Sequence, residues 1–328
     1  MSDKIRIFDE QISRKPDRYP WAYEFIDAMD SGHWTDKEFS FASDIQDFNV
    51  ALSPEIKECV IRTLSAISQV ETEVKVYWGK LGENLPHPSL IDLGFKLAAI
   101  EVTHSQAYGR LLEELGIEDV FEKNLKLPFF KGRVDYLRKY RKKEYSDKKK
   151  QYLYAVTLFT LFVENVSLFS QFYIVNWLNR HKNVLKSVTQ QTAYTAKEER
   201  IHSMVGIKII NVIRDEYPEL FDQDLEEKII HEAKEAFKAE SNIIDWALEG
   251  VTEDGLNPEV LKEFVKNRIN DSLIEIGYRK AFEIDEFLIK QTLWFDEEVL
   301  GNTSTDFFAR RPVEYSKKSQ SFDTDDLF

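Results

Sequence analysis

The chain has 328 residues, with 44 Lys+Arg against 58 Asp+Glu and a formal net charge of −14. That length admits one large domain or two ordinary ones, and 43% hydrophobic residues supply a deep core. A single cysteine, Cys59, excludes an internal disulfide framework and any Cys-built zinc or iron–sulfur cage, and the acidic balance argues against a nucleic-acid surface.

The N-terminus, MSDKIRIFDEQISRK, lacks the apolar stretch of a signal peptide. With 12 Gly and 9 Pro the chain has about half the usual share of chain breakers, so long helices and a soluble, cytoplasmic, all-α protein are expected. Residues 1–50 read as an irregular arm with short helical pieces, punctuated by Pro16, Pro20 and Gly32. Ser53-Pro54-Glu55 is a helix start, Ser as N-cap and Pro in the first turn. That helix is expected to run to about Leu81, before the break at residues 82–88. A second covers about Ser89–Leu115 and stops at Gly116. A basic run follows: residues 131–150 carry ten Lys/Arg against three acids, read as a solvated face or a docking patch.

From Gln151 to Asn179 the only charge is Glu164. The length could span a bilayer. Asn165, Ser167, Ser170, Gln171 and Asn176, and the lack of a second such segment, favour the central helix of a bundle and no membrane partner. Further helices are expected over about 182–214, 222–248 and 257–290. The ending, SKKSQSFDTDDLF, reads as an acidic tail with apolar Phe322, Leu327 and Phe328, either frayed or a peptide ligand for a partner.

Several polar residues fall on inward faces. Leu97, Glu101, His104, Tyr108, Leu111 and Leu115 make one helical stripe, otherwise apolar but for Tyr108. Glu101 and His104 are therefore neighbours on a buried face. Glu199 and His202 repeat that spacing beside Thr195, Gly206 and Ile209. Glu164 in the apolar helix and Glu71 in the first helix each add an inward carboxylate. An unpaired buried carboxylate is costly, whereas four of them balance two divalent ions. Two helices giving one Glu and two giving Glu-x-x-His are the ligand set already known from di-iron and di-manganese carboxylate bundles, so the pattern is matched rather than newly derived. Oxygen-rich donors with two imidazoles suit iron or manganese.

With these residues assembled, the chain resembles the small, radical-generating (beta) subunit of class I ribonucleotide reductase over nearly its full length. Glu101-x-x-His104-x-x-x-Tyr108 has that family's spacing from ligand pair to radical tyrosine. Trp34-Thr35-Asp36-Lys37-Glu38, followed by Ser43-Asp44-Ile45-Gln46, is similar to its motif bearing the electron-relay tryptophan, and Phe322-Asp323-Thr324-Asp325-Asp326-Leu327 to its docking tail.

The resemblance implies an all-α, ferritin-like helical bundle with extra helices and a flexible C-terminal tail. It divides the chain into an arm (1–50), a dimetal helical domain (51–295) and a docking tail (300–328). The implied metal ligands are Glu71, Glu101, His104, Glu164, Glu199 and His202, with Glu73 as the alternative to Glu71. Glu198 stands where the family usually keeps an Asp joining relay tryptophan to ligand histidine, and Tyr315 where it keeps a tail tyrosine. Glu71 with Lys75 resembles the dimanganese subclass Id, activated by superoxide, in which the metal centre replaces the tyrosyl radical. Lys75 then donates to a ligand or to metal-bound oxygen, or else reaches the surface by its long stem. Tyr108 is a radical site or simply a buried, hydrogen-bonded tyrosine. Implied partners are the large (alpha) subunit, bound through the tail, a second copy of the chain, and superoxide or oxygen as oxidant. Manganese is favoured as cofactor, with iron the alternative. An R2-like ligand-binding oxidase and a ferritin-like metal store are the competing readings.

Overall fold

The computed structural model describes residues 5–301 and, for Thr72 and Glu73, the backbone only. Tyr315 and the 322–328 ending lie outside the described residues, as does the Glu73 side chain. Among the described residues there are helices and turns and no strand.

The first helix, α1 (Trp21–Ser31), belongs to the N-terminal arm. Helix α2 (Pro54–Glu73) starts where the local signals dictate, with Ser53 Oγ accepting from the Ile56 N–H and Pro54 in the first turn. It does not continue to Leu81. The chain breaks at Val74 and resumes as the short α3 (Lys75–Gly79), because α3 swings against the next helix, α4 (Pro88–Leu115). Gly94 of α4 makes room for it, since a Cβ there would lie 2.7 Å from both the Trp78 carbonyl and the Leu81 side chain. Helix α4 ends at Gly116 in the left-handed conformation, φ +65°. A shorter α5 (Pro128–Leu137) follows.

The apolar stretch is not one regular helix either. It runs as α6 (Lys148–Leu158), a widened π-helical turn over Phe159–Glu164, and α7 (Phe169–Lys182). It is long and apolar enough to cross a membrane, yet 89% of its most apolar window is buried inside the fold, which makes it the core helix of the bundle. Helix α8 (Lys186–Glu216) crosses the π turn at Gly206, where a Cβ would fall 1.9 Å from Thr160 Oγ1.

Two long helices follow, α9 (Gln223–Ala247) and α10 (Pro258–Glu275), and short helical turns over Glu286–Ile289, Leu293–Phe295 and Asp296–Leu300 end the described chain. The expected continuation of α10 to residue 290 fails at Gly277, φ +78°, where Arg214 of α8 holds the Ile276 carbonyl. Helices α2, α4, α7 and α8 pack pairwise into a closed ring of four, with α1 lying on α4 and α8 and with α9 against α2, α5 and α10. This is a ferritin-like bundle with added helices.

Candidate metal centre

The four-helix ring turns its carboxylates and imidazoles to one interior point. Glu71 from α2, Glu101 and His104 from α4, Glu164 at the end of the π turn, and Glu199 and His202 from α8 are all buried. They form two cradles, Glu71–Glu101–His104–Glu199 and Glu101–Glu164–Glu199–His202, each with donor atoms within 4.8 Å of one another. Glu101 and Glu199 belong to both, the arrangement two bridging carboxylates adopt. Both imidazoles face inward through Nδ1: that of His104 lies 3.0 Å from Glu199 and 3.5 Å from Glu71, and that of His202 2.9 Å from Glu101.

Electrostatics show what the cradles fit. Burial pushes the Glu71 carboxyl up to about 8 and Glu164 well above the carboxylate range, the charges of Glu199 and Glu101 adding to the second shift. For Glu199 burial acts the same way but is outweighed by hydrogen bonding with Glu164 and the charge of His202, so its carboxyl stays low. Burial would lower both imidazoles, but Glu71 beside His104 and Glu101 beside His202 hold them protonated. Protons thus occupy the role of cations. Both oxygens of Glu71 and of Glu101, and Nδ1 of each histidine, make no sound hydrogen bond. Buried polar atoms left without partners at one point are what metal-ligand bonds would satisfy. Six oxygen and nitrogen donors, with Cys59 elsewhere, suit a dinuclear iron or manganese site.

Around the centre, Trp34 Nε1 donates to Glu198 Oε2 at 2.8 Å, and the same oxygen lies 2.8 Å from His104 Nε2. The Trp34 ring also lies over the His104 ring, with centroids 6.0 Å apart. Sequence reasoning named all three residues, and the structure brings them into contact. Tyr108 is buried one helical turn beyond His104, its hydroxyl 3.3 Å from Thr195 Oγ1. Burial raises its phenol.

Lys75 takes neither of its two expected roles outright. The break at Val74 takes it off the inward stripe of α2; it is half-buried and its ammonium donates to Ser105 Oγ at 3.1 Å. No carboxylate of the cradles accepts from it among the described residues. Sequence reasoning also passed over Trp78, wholly buried, whose Nε1 donates to Glu164 Oε1 at 2.8 Å. Its spacing of seven from Glu71 was the signal that could have found it.

The family profile for the ribonucleotide reductase small chain matches residues 11–287. The chain belongs to the ribonucleotide reductase small-chain family. Among relatives, the ribonucleoside-diphosphate reductase subunit beta of Chlamydia pneumoniae is 22% identical, over 92% of this chain and 88% of its own. A ribonucleotide reductase R2 subunit from Clostridium botulinum shares the fold with a TM-score of 0.75 at 18% identity, covering 85% of this chain and 88% of that one. An R2-like ligand-binding oxidase with a Mn/Fe cofactor has a TM-score of 0.67 at 18% identity, covering 81% and 96%. Membership in the small-chain family makes this an oxidoreductase subunit with a ferritin-like metal-binding bundle, of a kind that works with a large subunit.

Proposed function

We propose that this chain is the radical-generating beta subunit of a class I ribonucleotide reductase. When bound by Glu71, Glu101, His104, Glu164, Glu199 and His202, a metal pair would supply a one-electron oxidant. The surrounding residues keep that oxidant dry and connect it to the outside. The oxidising equivalent passes along His104, Glu198 and Trp34, each in direct contact with the next, towards Tyr315 and the large subunit, where ribonucleotide reduction begins. Glu198 Oε2 lies between the Trp34 indole N–H and His104 Nε2, so a proton can shift along the chain as the electron moves. The tail, with Phe322 and Leu327 among Asp323, Asp325 and Asp326, would dock on that partner. A second copy of the chain would cover α4, where Phe95 and Val102 are 63% and 44% exposed two turns apart. We place this activity in the cytoplasm.

The Trp34–Glu198–His104 chain carries this reading. A metal store has no use for a conduit leading away from its centre. An R2-like oxidase shares the bundle, and the TM-score of 0.67 keeps it as the second reading. Manganese is the metal we favour, activated by superoxide, because Glu71 replaces the usual Asp; iron with oxygen is the alternative. The test loads the protein separately with each metal and follows electron paramagnetic resonance and reductase activity with the large subunit. A multiline manganese signal unchanged by Tyr108→Phe, with activity abolished by Trp34→Phe at full metal content, is the expected result. A sharp organic radical lost in Tyr108→Phe would return the radical to the tyrosine. Full activity in Trp34→Phe would remove the conduit.

A further inference from the structure

The proposed conduit reaches Trp34, whose side chain is only 2% exposed, so an oxidising equivalent held there needs one more step outward. Among the described residues three rings touch the Trp34 indole. That of His104, at 6.0 Å, leads back to the metal ligands. That of Phe39, at 5.4 Å, has no heteroatom to share the loss of an electron and no proton to release. The third belongs to Tyr194, edge-on at 6.1 Å and half-buried, its hydroxyl accepting from Nε2 of the exposed Gln190 at 3.1 Å. Tyr194 therefore packs its ring on Trp34 and carries its hydroxyl towards the surface.

The fold holds this contact in place. Tyr194 and Glu198 are four residues apart on α8, so one face of that helix presents both the acid of the conduit and the tyrosine. Phe39 packs against both rings, 5.7 Å from that of Tyr194. Arg110 of α4 donates to the carbonyls of Asp36 and Phe39, and Ser187 Oγ of α8 donates to the Ser40 carbonyl at 2.7 Å. The short segment bearing Trp34 and Phe39 is thereby tied to the two helices that bear His104 and Tyr194.

We propose that Tyr194 is the station after Trp34, where the oxidising equivalent comes within reach of a partner. Tyr194 gives one electron to oxidised Trp34 and its phenol proton to solvent, which leaves a neutral phenoxyl radical and returns Trp34 to its reduced form. The phenoxyl then takes one electron from the next group outward, the phenol of Tyr315 in the proposed route, and recovers a proton from solvent. The net change is one electron moved inward, and Trp34 and Tyr194 end as they began. Because the proton is released outside the dry core, a step back inward must wait for a proton to return, which favours outward travel.

This inference rests on the proposed function, and its test separates the two. Tyr194→3-aminotyrosine puts a more easily oxidised phenol at the station, so the equivalent is trapped there. The oxidised, metal-loaded variant is mixed with the large subunit and a ribonucleotide and followed by electron paramagnetic resonance. An organic radical is expected to grow as the signal of the oxidised metal pair declines, and to be absent when Trp34→Phe is added. Tyr194→Phe, which keeps the ring packing, is expected to lose most reductase activity at full metal content and an unchanged denaturation midpoint. A radical that still forms with Trp34→Phe present would overturn Trp34 as its source and the proposed order with it. No trapped radical, with full activity in Tyr194→Phe and none in Trp34→Phe, would overturn Tyr194 as a station and leave the proposed function standing. Full activity in Trp34→Phe as well would overturn both.

Discussion

His104 shows how one side chain serves two tasks. Its Nδ1 faces three carboxylates and its Nε2 faces Glu198, so Glu198 fixes which nitrogen is left to bind metal. Replacing Glu198 with Ala is expected to weaken metal binding by about 10–100-fold, measured by competition with a chelator, while Gln restores most of it by keeping one acceptor. The same residues set the pH dependence of loading. In the metal-free protein Glu71, Glu164 and both histidines hold protons that ordinary groups would have released. Metal must displace those protons. Affinity should therefore rise with pH, the loss of the Glu71 proton near 8 contributing to the rise. Metal titrations across pH 6–9 check this, and an affinity that falls with rising pH contradicts it.

Elements explain what was and was not legible in the sequence. The starts at Ser53-Pro54 and Asn257-Pro258 and the stop at Gly116 are written in local chemistry, and all three appear in the structure. The i, i+3 pairs were legible because helical spacing alone puts Glu101 beside His104. Three interruptions were not. The break at Val74 goes with the close approach of α3 to Gly94, the π turn at 159–164 faces Gly206, and the end of α10 is fixed by Arg214. Each involves a residue far away in the chain, so no local pattern announces it. The displacement of Lys75 follows from the first. Gly206 offers the direct trial: Gly206→Ala must push Thr160 aside, and overpacking of this kind costs about 1–3 kcal/mol. Because the turn it displaces ends in Glu164, metal content should fall along with the denaturation midpoint; unchanged content would show that the turn tolerates the shift.

The whole molecule contains a second buried charge cluster, apart from the metal centre. Arg133 of α5 is completely buried. It donates to both oxygens of Glu240 on α9, to the Ala66 carbonyl of α2, to the Ser167 carbonyl, and to Gln171 of α7. One guanidinium thus ties four helices together, and its geometry is bidentate. Arg133→Met strands Glu240 in the core, where burial already pushes its carboxyl up to about 7. Breaking such a pair costs about 3–5 kcal/mol, whereas replacing both partners with apolar residues is often neutral. Arg133→Met should thus lower the urea midpoint sharply, and adding Glu240→Leu should restore much of the loss. If the double variant is as unstable as the single one, the cluster is needed for its hydrogen bonds to the backbone rather than for charge balance.

The central helix carries a last implication. Being apolar on nearly every side, it gives the core little reason to prefer one angle of rotation about its own axis. Four polar side chains choose the angle: Glu164 against Trp78, Asn165 against Arg268, Gln171 against Arg133, and Asn176 against Thr192. Loss of one residue from the widened turn would swing one half of the helix by about 100° relative to the other. Greasy surface would still meet greasy surface, but these anchors could no longer engage together. Like a dial with few stops, the helix owes its setting to the handful of residues that catch it, and one of those stops is the carboxylate offered to the metal.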